Sequence, residues 1–286
     1  MKYSSVLFKI HLAVIVFLAG CSVNTAGTPD SADTLCYFFD VGEGAAALID
    51  SPELGRILID TGNPTSRLVS KLSGMGVTSV DTVIVTHPHP DHIGGIHNVL
   101  EFLSPQAIYD NGEPLTFSDP MQRWYHENVR LDPRYALLQA GDRIEKDNSV
   151  LEVLAPYQLT GNWNENSLVL LFSIGHWKVL FMADATYATE EILLQNKDDL
   201  SADILQVGHH GSHISSSERF LAEVRPRFAV ISVNIENING YPSSRTIARL
   251  EMQGAEVLCT CDQGDIVFAV NPATQRINLI RNERDD

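Results

Sequence analysis

Short apolar runs alternate with helical patterns along most of the chain. Val83-Ile84-Val85 is a run of branched apolar residues, which predicts a buried strand. Ile96, Val99 and Leu103 follow at the spacing of one helix face, which predicts a helix soon after that strand. The same succession recurs further along the chain, and a regular alternation of strands and helices predicts an α/β fold.

The predicted elements form two halves of similar plan. Apolar runs between polar or turn residues predict strands at 34–40, 46–50, 56–60, 82–86, 107–109, 150–154, 167–174, 178–182, 204–207, 228–232, 256–259 and 266–270. Helical spacing predicts helices at 66–75, 93–103, 189–194, 217–224 and 244–252. Residues 117–135 interrupt this pattern. They form either a lid beside a site or a surface helix that covers the core with Met121, Trp124 and Tyr125.

The first twenty residues have the pattern of an export signal. A weakly positive start precedes an apolar stretch at 10–18, which is short for a membrane span, and Leu18-Ala19-Gly20-Cys21 resembles a bacterial lipobox. We therefore expect a lipoprotein signal peptide at 1–20, lipidation of Cys21 and a flexible tether at 21–33. The protein would then be an extracytoplasmic, membrane-anchored lipoprotein. An ordinary signal peptide or an uncleaved anchor is the alternative.

Composition and charge limit the size of the domain and the kind of partner. The chain has 286 residues with 44% hydrophobic content, so residues 34–286 can bury a sizeable core as one domain. The formal net charge is −16 and no basic run compensates for it. Such a surface repels a long polyanion, which favours a smaller phosphodiester over long duplex DNA as a substrate.

Three cysteines follow Cys21 in the chain, namely Cys36, Cys259 and Cys261. In an oxidising compartment, one disulfide could join Cys36 to either of the other two. The alternative is that Cys259 and Cys261 pack in the core, because two residues at this spacing on a strand point to the same face. The sequence leaves the pairing open.

The strand predicted at 82–86 leads into a dense group of potential metal ligands. The motif His87-Pro88-His89-Pro90-Asp91-His92 places three imidazoles and one carboxylate on the loop between a strand and a helix. Imidazole nitrogens and carboxylate oxygens suit zinc. Two later strands also end in such groups, one in Asp184 and the other in His209-His210. Because strands hold their ends rigidly, three strand ends can together form a metal site.

Six blocks of this sequence resemble those of metallo-β-lactamase-fold hydrolases, and among them the C-terminal hydrolase domain of competence-type DNA uptake channel proteins. They occur in the family's order between residues 34 and 270: Phe39-Asp40-Val41-Gly42-Glu43-Gly44, Leu58-Ile59-Asp60-Thr61-Gly62, the His87 motif, Asn166-Ser167-Leu168-Val169, Asp184, and Val207 to Ser212. Secreted phosphorylcholine esterases share the arrangement of blocks. The resemblance implies a four-layer αββα sandwich of the metallo-β-lactamase type, with a two-metal site at one edge of the packed sheets.

The resemblance also implies a role for each ligand-type residue. Two divalent ions would share Asp184 as a bridge, with His87 and His89 on the first ion and Asp91, His92 and His209 on the second. The sequence leaves open whether His209 or the adjacent His210 is the ligand, because Gly208 lets the backbone turn either way. The ions would be zinc, with manganese as the alternative, and such a pair can clamp both the attacking and the leaving oxygen of a displacement. Asp60 would orient the loop and an imidazole from outside the ligand set. Asp91 and His210 would be catalytic, His210 as a donor to the substrate or leaving group, and water would be the nucleophile.

The chain departs from the family pattern at several positions. Ala45 stands where an acid is usual, and Tyr241 stands where a histidine is usual. Fold members often have a histidine just before the strand predicted at 167–174, whereas this chain has Asn164-Glu165-Asn166 there. The third ligand of the first ion therefore stays open. Substrate contacts are expected from Asn166, Ser212 and Tyr241.

The serine-rich segment 211–217 indicates the kind of substrate. It leads into the helix predicted at 217–224, and a helix N-terminus with hydroxyls and free amides attracts phosphate. We therefore expect hydrolysis of a phosphodiester in a phosphorylated small molecule, an envelope polymer or a single-stranded nucleic acid. A catalytically weak binding lipoprotein on the same fold is one alternative, and a hydrolase of lactam, lactone or thioester substrates is another. The sequence leaves the oligomeric state open.

Overall fold

A computed structural model describes residues 33–280, apart from 197, 198, 235, 272 and 275. The predicted signal peptide, the tether and Cys21 lie outside the described residues. Among the helices that are described, none is both long and apolar enough to cross a membrane.

Two packed sheets form the centre of the molecule. Within the described residues, the first sheet has the strand order β15-β14-β1-β2-β3-β4-β5-β6 and the second has the order β13-β12-β11-β10-β9-β8-β7. The strands of the first sheet are β1 (Thr34–Phe38), β2 (Ala47–Ser51), β3 (Gly55–Ile59), β4 (Thr82–Ile84), β5 (Ala107–Asp110), β6 (Tyr135–Leu137), β14 (Ile266–Asn271) and β15 (Arg276–Ile280). The strands of the second sheet are β7 (Arg143–Lys146), β8 (Ser149–Ala155), β9 (Val169–Ile174), β10 (Trp177–Phe181), β11 (Ile204–Gln206), β12 (Phe228–Ile231) and β13 (Glu256–Cys259).

Each sheet changes from antiparallel to parallel pairing part-way across. In the first sheet β1, β2 and β3 pair antiparallel, and β3, β4, β5 and β6 then pair parallel. In the second sheet β8, β9 and β10 pair antiparallel, and β10 to β13 then pair parallel. The carboxyl ends of parallel strands meet at one edge of a sheet, where open α/β proteins bind their ligands.

Helices cover the outer face of each sheet, as the apolar positions require. The helices are α1 (Leu68–Gly74), α2 (Pro90–Ile93), α3 (Ile96–Leu103), α4 (Pro120–Tyr125), α5 (Tyr187–Asn196), α6 (Glu218–Val224), α7 (Ser244–Met252) and α8 (Thr260–Gln263). One buried apolar cluster lies between the sheets and includes Phe38, Phe172 and Phe268. A second packs α1 and α3 on the first sheet, and a third packs α6 and α7 on the second. The predicted four-layer αββα sandwich is therefore confirmed.

Residues 117–135 contain the covering helix that was one of the two predicted alternatives. Asp119 caps α4 by accepting from the backbone N–H of Met121 at 2.8 Å, and a turn of π-helix, His126–Arg130, continues it. The ring of Tyr125 is fully buried, and its hydroxyl lies 3.2 Å from Asp110 Oδ2. The segment thus covers the core beside the first sheet.

The structure differs from the predicted elements where local patterning was weak. The strands β6, β7 and β15 were not predicted, and the residues of β7 are largely exposed. The single helix predicted at 93–103 is divided between α2 and α3 by Gly94 and Gly95. A Cβ at Gly94 would lie 2.3 Å from Pro64 N, and one at Gly95 would lie 2.3 Å from Thr61 O. The glycines let the chain after the His87 motif pack closely against this neighbouring loop.

The cysteines pair differently from the expectation. A disulfide joins Cys259, at the end of β13, to Cys261 in α8. Cys36 lies in β1 as a free thiol that is only 1% exposed. Pairing of Cys36 with either other cysteine is therefore wrong. Cys259 lies in the apolar cluster that packs α6 and α7 on the second sheet, and Cys261 packs against that cluster, so their predicted core position is confirmed, although as a disulfide.

Candidate metal centre

Loops at the carboxyl ends of β4, β10 and β11 bring five histidines and two aspartates together. The loop after β4 carries His87, His89, Asp91 and His92, the loop after β10 carries Asp184, and the loop after β11 carries His209 and His210. Left-handed backbone at Ala183 (φ 45°), His209 (φ 49°) and His210 (φ 53°) turns the last two loops toward the first. Side chains other than glycine adopt this conformation at a cost, and such residues concentrate at functional sites.

The first group of potential ligands consists of His87, His89 and Asp184. Their nitrogen and oxygen atoms all lie within 4.8 Å of one another. His87 Nε2 is 2.8 Å from His89 Nδ1 and 3.7 Å from Asp184 Oδ2. His87 is fully buried, and its Nδ1 lies 3.1 Å from the Thr86 hydroxyl, so its ring is fixed from behind.

The second group consists of Asp91, His92, Asp184 and His210, whose atoms also lie within 4.8 Å of one another. Asp184 Oδ1 is 3.2 Å from both His92 Nε2 and His210 Nε2. Asp91 Oδ2 is 3.4 Å from the same nitrogen of His210. Asp184 therefore belongs to both groups and presents one oxygen to each.

The residues of the second group fit a divalent ion. His92 Nε2, His210 Nε2 and Asp184 Oδ1 are buried, and each lacks a hydrogen-bond partner. Three buried lone-pair donors without partners cost free energy unless a ligand satisfies them. Imidazole nitrogens and carboxylate oxygens in this number are a donor set for zinc or manganese.

Hydrogen bonds from outside the ligand groups fix the two rings. Asp60 Oδ2 lies 2.7 Å from His92 Nδ1, and the same carboxylate accepts from the Thr86 backbone N–H and hydroxyl, each at 2.8 Å. His210 Nδ1 lies 2.8 Å from the carbonyl oxygen of Ser232, to which it donates. Each ring therefore turns its Nε2 into the site. This is the orienting position that the sequence analysis expected of Asp60.

The family description of the metallo-beta-lactamase superfamily matches residues 34–233, which include every residue of this site. The chain belongs to the metallo-beta-lactamase superfamily. Its solved neighbours include the metallo-beta-lactamase fold protein YhfI from Bacillus subtilis, at 15% identity and a TM-score of 0.57, covering 83% of this chain and 100% of that one. That likeness is one of fold.

Curated relatives of this superfamily member carry competence and recombination names. The chain is 27% identical to ComE operon protein 3 of Bacillus subtilis, with 80% of this chain covered, and 31% identical to Recombination protein 2 of Haemophilus influenzae, with 79% covered. It spans 32% and 28% of the lengths of those two proteins. These matches confirm the resemblance to a domain of competence-type proteins.

Burial and neighbouring charges set the protonation of this superfamily site. Burial lowers the pKa of His87 well below its usual value, so its ring is neutral and can act as a ligand. Burial acts in the same direction on His92, but the carboxylates of Asp184 and Asp60 outweigh it and raise the pKa of His92 well above the usual value. Burial opposes the ionised form of Asp184, yet His210 and His92 hold the pKa of its carboxyl well below the usual range. A cation at this position would compete with the His92 proton.

The two adjacent histidines lie differently from the expectation. His210, and not His209, lies in the group with Asp91 and His92. His210 was expected to donate a proton to the leaving group. Its Nδ1 instead donates to Ser232 O, while its Nε2 faces Asp184. The structure therefore favours His210 over His209 as the ligand-type residue of the second group, and both residues have left-handed backbone.

Two of the expected substrate contacts are inaccessible. Asn166 is fully buried, and its amide is occupied by Glu113, to which it donates, and by the Thr160 backbone, whose N–H donates to it at 2.7 Å. Ser212 is 1% exposed, and its carbonyl oxygen accepts from the hydroxyl of Thr246 at 2.8 Å. In this structure both residues are buried in the loops that surround the site, so neither side chain is open to a substrate.

The serine-rich segment before α6 is also occupied from within the protein. Both carboxylate oxygens of the buried Glu190 accept backbone hydrogen bonds, one from Ser216 and one from Ser217 at 2.8 Å. The hydroxyl of Ser215 donates to the carbonyl oxygen of Gly208 at 2.7 Å. An internal carboxylate thus takes the place that the sequence analysis gave to a substrate phosphate at this helix N-terminus.

Tyr241 is the expected substrate contact that borders an open space. Its ring lies 5.5 Å from the ring of His209, and it lines a cavity of about 300 Å³. The other lining residues are His213, Asn239, Gly240, Ser243, Ser244 and Arg245. Trp163 also borders the site, with its ring 5.2 Å from that of His89, although it was not among the predicted site residues. No local pattern marks Trp163, because the loop before β9 reaches His89 only through the fold.

Proposed function

We propose that this protein is a metal-dependent phosphodiesterase with two divalent ions, zinc or manganese. The observation that carries the proposal is the position of Asp184, whose two oxygens face two separate groups of potential ligands. One carboxylate shared in this way suits two ions held a few ångströms apart. Membership of the metallo-beta-lactamase superfamily supports a metal-dependent hydrolase in general, and the paired groups support the two-ion form.

The chain's own residues would divide the work of the reaction. His87, His89 and Asp184 would hold one ion, and Asp91, His92, His210 and Asp184 the other. Bound ions would acidify water and polarise a phosphoryl oxygen. Asp91 has a side chain that is 29% exposed, the most open of the second group, and it would orient the attacking water by accepting a hydrogen bond from it.

Charge and accessible space favour a small or single-stranded substrate. The formal net charge of −16 opposes binding of a long duplex over the general surface. The cavity beside His209 contains Arg245, His213 and Tyr241, which can contact the part of a substrate beyond the scissile bond. The competence and recombination names of the relatives agree with a nucleic-acid substrate. We therefore propose single-stranded oligonucleotides as the preferred substrate class and small phosphodiesters as the second.

An assay over several substrate classes tests the proposal. Metal-free protein would receive zinc or manganese and then be offered bis(p-nitrophenyl) phosphate, a single-stranded oligonucleotide, a chromogenic lactam and a thioester. We expect metal-restored turnover of the first two, its loss in His92→Ala, and normal turnover in the control His97→Ala, whose ring is on the exposed face of α3. Turnover of the lactam or thioester alone, or of nothing, would reject a phosphodiesterase.

We also propose that the chain is anchored outside the cytoplasm through a lipid on Cys21. The lipobox-like sequence Leu18-Ala19-Gly20-Cys21 supports this anchor. The variant Cys21→Ser should pass from the membrane fraction to the soluble fraction, because acyl chains are the proposed attachment. Equal membrane retention of that variant would contradict the anchor and leave the hydrolase proposal untouched.

A further inference from the structure

The two ligand groups of the site are unequal in number. The second group has four members, Asp91, His92, His210 and the shared Asp184. The first has three, His87, His89 and the shared Asp184. If the shared carboxylate gives one oxygen to each ion, the first ion has one terminal ligand fewer than the second. A further donor on its side would remove that difference.

His209 lies on the side of the first group. Asp184 Oδ2, the oxygen 3.7 Å from His87 Nε2, is also 3.9 Å from His209 Nε2. Asp184 Oδ1, in contrast, faces His92 and His210, each at 3.2 Å. The adjacent histidines therefore flank one carboxylate from opposite sides, and each faces a different oxygen.

The backbone holds His209 in this position. Its N–H donates to the carbonyl oxygen of Ala183 at 2.8 Å, which ties it to the loop that carries Asp184. Its carbonyl oxygen accepts from the N–H of Ser212 at 2.8 Å. The side chain is only 15% exposed, and its Nδ1 is buried without a hydrogen-bond partner.

Asn164 provides a second, independent observation at the same place. Its Nδ2 lies 3.5 Å from His209 Nε2, and its Oδ1 is buried without a hydrogen-bond partner. It belongs to the loop before β9, so the two side chains arrive from different parts of the second sheet. The loop before β9 therefore places a second polar side chain beside the His209 nitrogen that faces Asp184 Oδ2.

We propose that His209 is the remaining terminal ligand of the first ion, through the Nε2 that faces Asp184 Oδ2, with Asn164 as a neighbour that packs against its ring. The inference rests on the two-ion site proposed above. His209 then binds the first ion and the adjacent His210 binds the second. Asn164 acts through the ring of His209, so its loss should weaken binding of the first ion less than the loss of His209 does.

Metal titration of single and double variants tests this division. His209→Asn suits the position, because asparagine tolerates left-handed backbone but its amide is too short to replace the imidazole. Wild-type protein should bind two zinc ions. His209→Asn should bind one with unchanged affinity and the other about 100-fold or more weakly, since loss even of an orienting partner outside the ligand set typically costs 10–100-fold. His97→Asn, which changes a histidine on α3 whose side chain is 65% exposed, is the matched control.

The double variants identify the ion that His209 serves. His87→Ala with His209→Asn should still bind one ion tightly, because both changes affect the same ion. His209→Asn with His210→Asn should bind neither tightly. Two ions of wild-type affinity in His209→Asn, or the reverse pattern in the double variants, would overturn the assignment. His209→Gly, which accepts the same backbone, serves if His209→Asn fails to fold as judged by circular dichroism.

Failure of this inference can be told apart from failure of the proposed function. Wild-type protein that binds fewer than two ions would contradict the two-ion site itself. If the wild-type protein binds two ions and the His209→Asn variant binds both with the same affinity, only the role of His209 is contradicted. Cobalt absorption spectra provide a readout that does not depend on turnover, because removing an imidazole from one ion alters the coordination of that ion alone. The Asn164→Ala spectrum should shift in the same direction by a smaller amount.

Discussion

In both halves of the molecule an aspartate follows the strand at which antiparallel pairing changes to parallel pairing. Asp60 comes directly after β3, and Asp184 comes three residues after the end of β10. In the first half the aspartate itself has left-handed backbone, with φ 58°, whereas in the second half the preceding Ala183 has it. The two aspartates therefore differ in their distance from the strand end and in the backbone conformation that orients them.

This difference in position gives the two acids different chemistry. Asp60 points back into its own half, where the Thr86 backbone, the Thr86 hydroxyl and His92 occupy its oxygens. Asp184 Oδ1 points into the space between the halves, 3.2 Å from His92 of the first half and 3.2 Å from His210 of the second. Asp60 is fully hydrogen-bonded within the protein, whereas Asp184 can bind a cation. The first half therefore supplies a rigid support and the second half the shared ligand.

The largest effect should come from removing the charge of the shared ligand. Asp184→Asn keeps the volume but takes the anionic oxygen from both groups, so metal content should fall below two ions. Turnover of bis(p-nitrophenyl) phosphate should drop about 10³-fold or more, because such ions stabilise the transition state by several kcal/mol. Elemental analysis and steady-state kinetics measure the two quantities. A variant with two ions and normal turnover would remove Asp184 from the bridging position.

The matching change in the first half should have a smaller effect. Asp60→Asn leaves every residue of both ligand groups in place but alters the acceptor that orients His92. Loss of such an orienting partner typically costs about 10–100-fold in metal affinity or activity. Asp81→Asn is the control, because Asp81 accepts from the Arg56 N–H at 2.8 Å in the same sheet and is not part of the site. Equal losses in Asp60→Asn and Asp184→Asn would abolish the contrast between the halves.

The loops that carry the ligands are also held by different means. In the first half the hydroxyl and the N–H of Thr61 donate to the His92 carbonyl oxygen, at 2.9 and 2.8 Å. In the second half the buried carboxylate of Glu190 accepts from the N–H groups of Ser216 and Ser217. Burial raises the pKa of Glu190, and these backbone hydrogen bonds act against that rise.

This contrast predicts a stability effect of Glu190→Gln. Glutamine offers one acceptor oxygen where two backbone donors need one each, so an N–H remains unsatisfied. We expect a loss of about 1–3 kcal/mol in the free energy of unfolding, measured by urea denaturation. Glu191→Gln, on the exposed face of the same helix, should change it by less than about 0.5 kcal/mol. Equal stability of the two variants would show that Glu190 does not hold this loop.

The sequence predicted the strands that carry the site because their signals are local. Val83-Ile84-Val85 before the His87 motif and the apolar run before Asp184 identify buried strands without any knowledge of the fold. Which of His209 and His210 enters the second group could not be predicted, because both residues have left-handed backbone that no residue type at those positions signals. The sequence also predicted that the N-terminus of α6 binds a substrate phosphate. The carboxylate that occupies it comes from Glu190, 26 residues away in the chain, and only the fold brings it there.

The cysteines provide the smallest and last contrast between the halves. Cys36 in β1 is 1% exposed, and burial raises the pKa of its thiol to about 12, so about one thiol in ten thousand is ionised at pH 8. Cys259 and Cys261 are oxidised in a disulfide.

In a Cys21→Ser protein, iodoacetamide at pH 8 should therefore add no label to the folded chain. Prior treatment with a reductant should allow two labels, and unfolding under reducing conditions three, as mass spectrometry can count. A label on Cys36 in the folded protein would show that β1 opens readily. Two labels without reductant would show instead that Cys259 and Cys261 are thiols and not a disulfide.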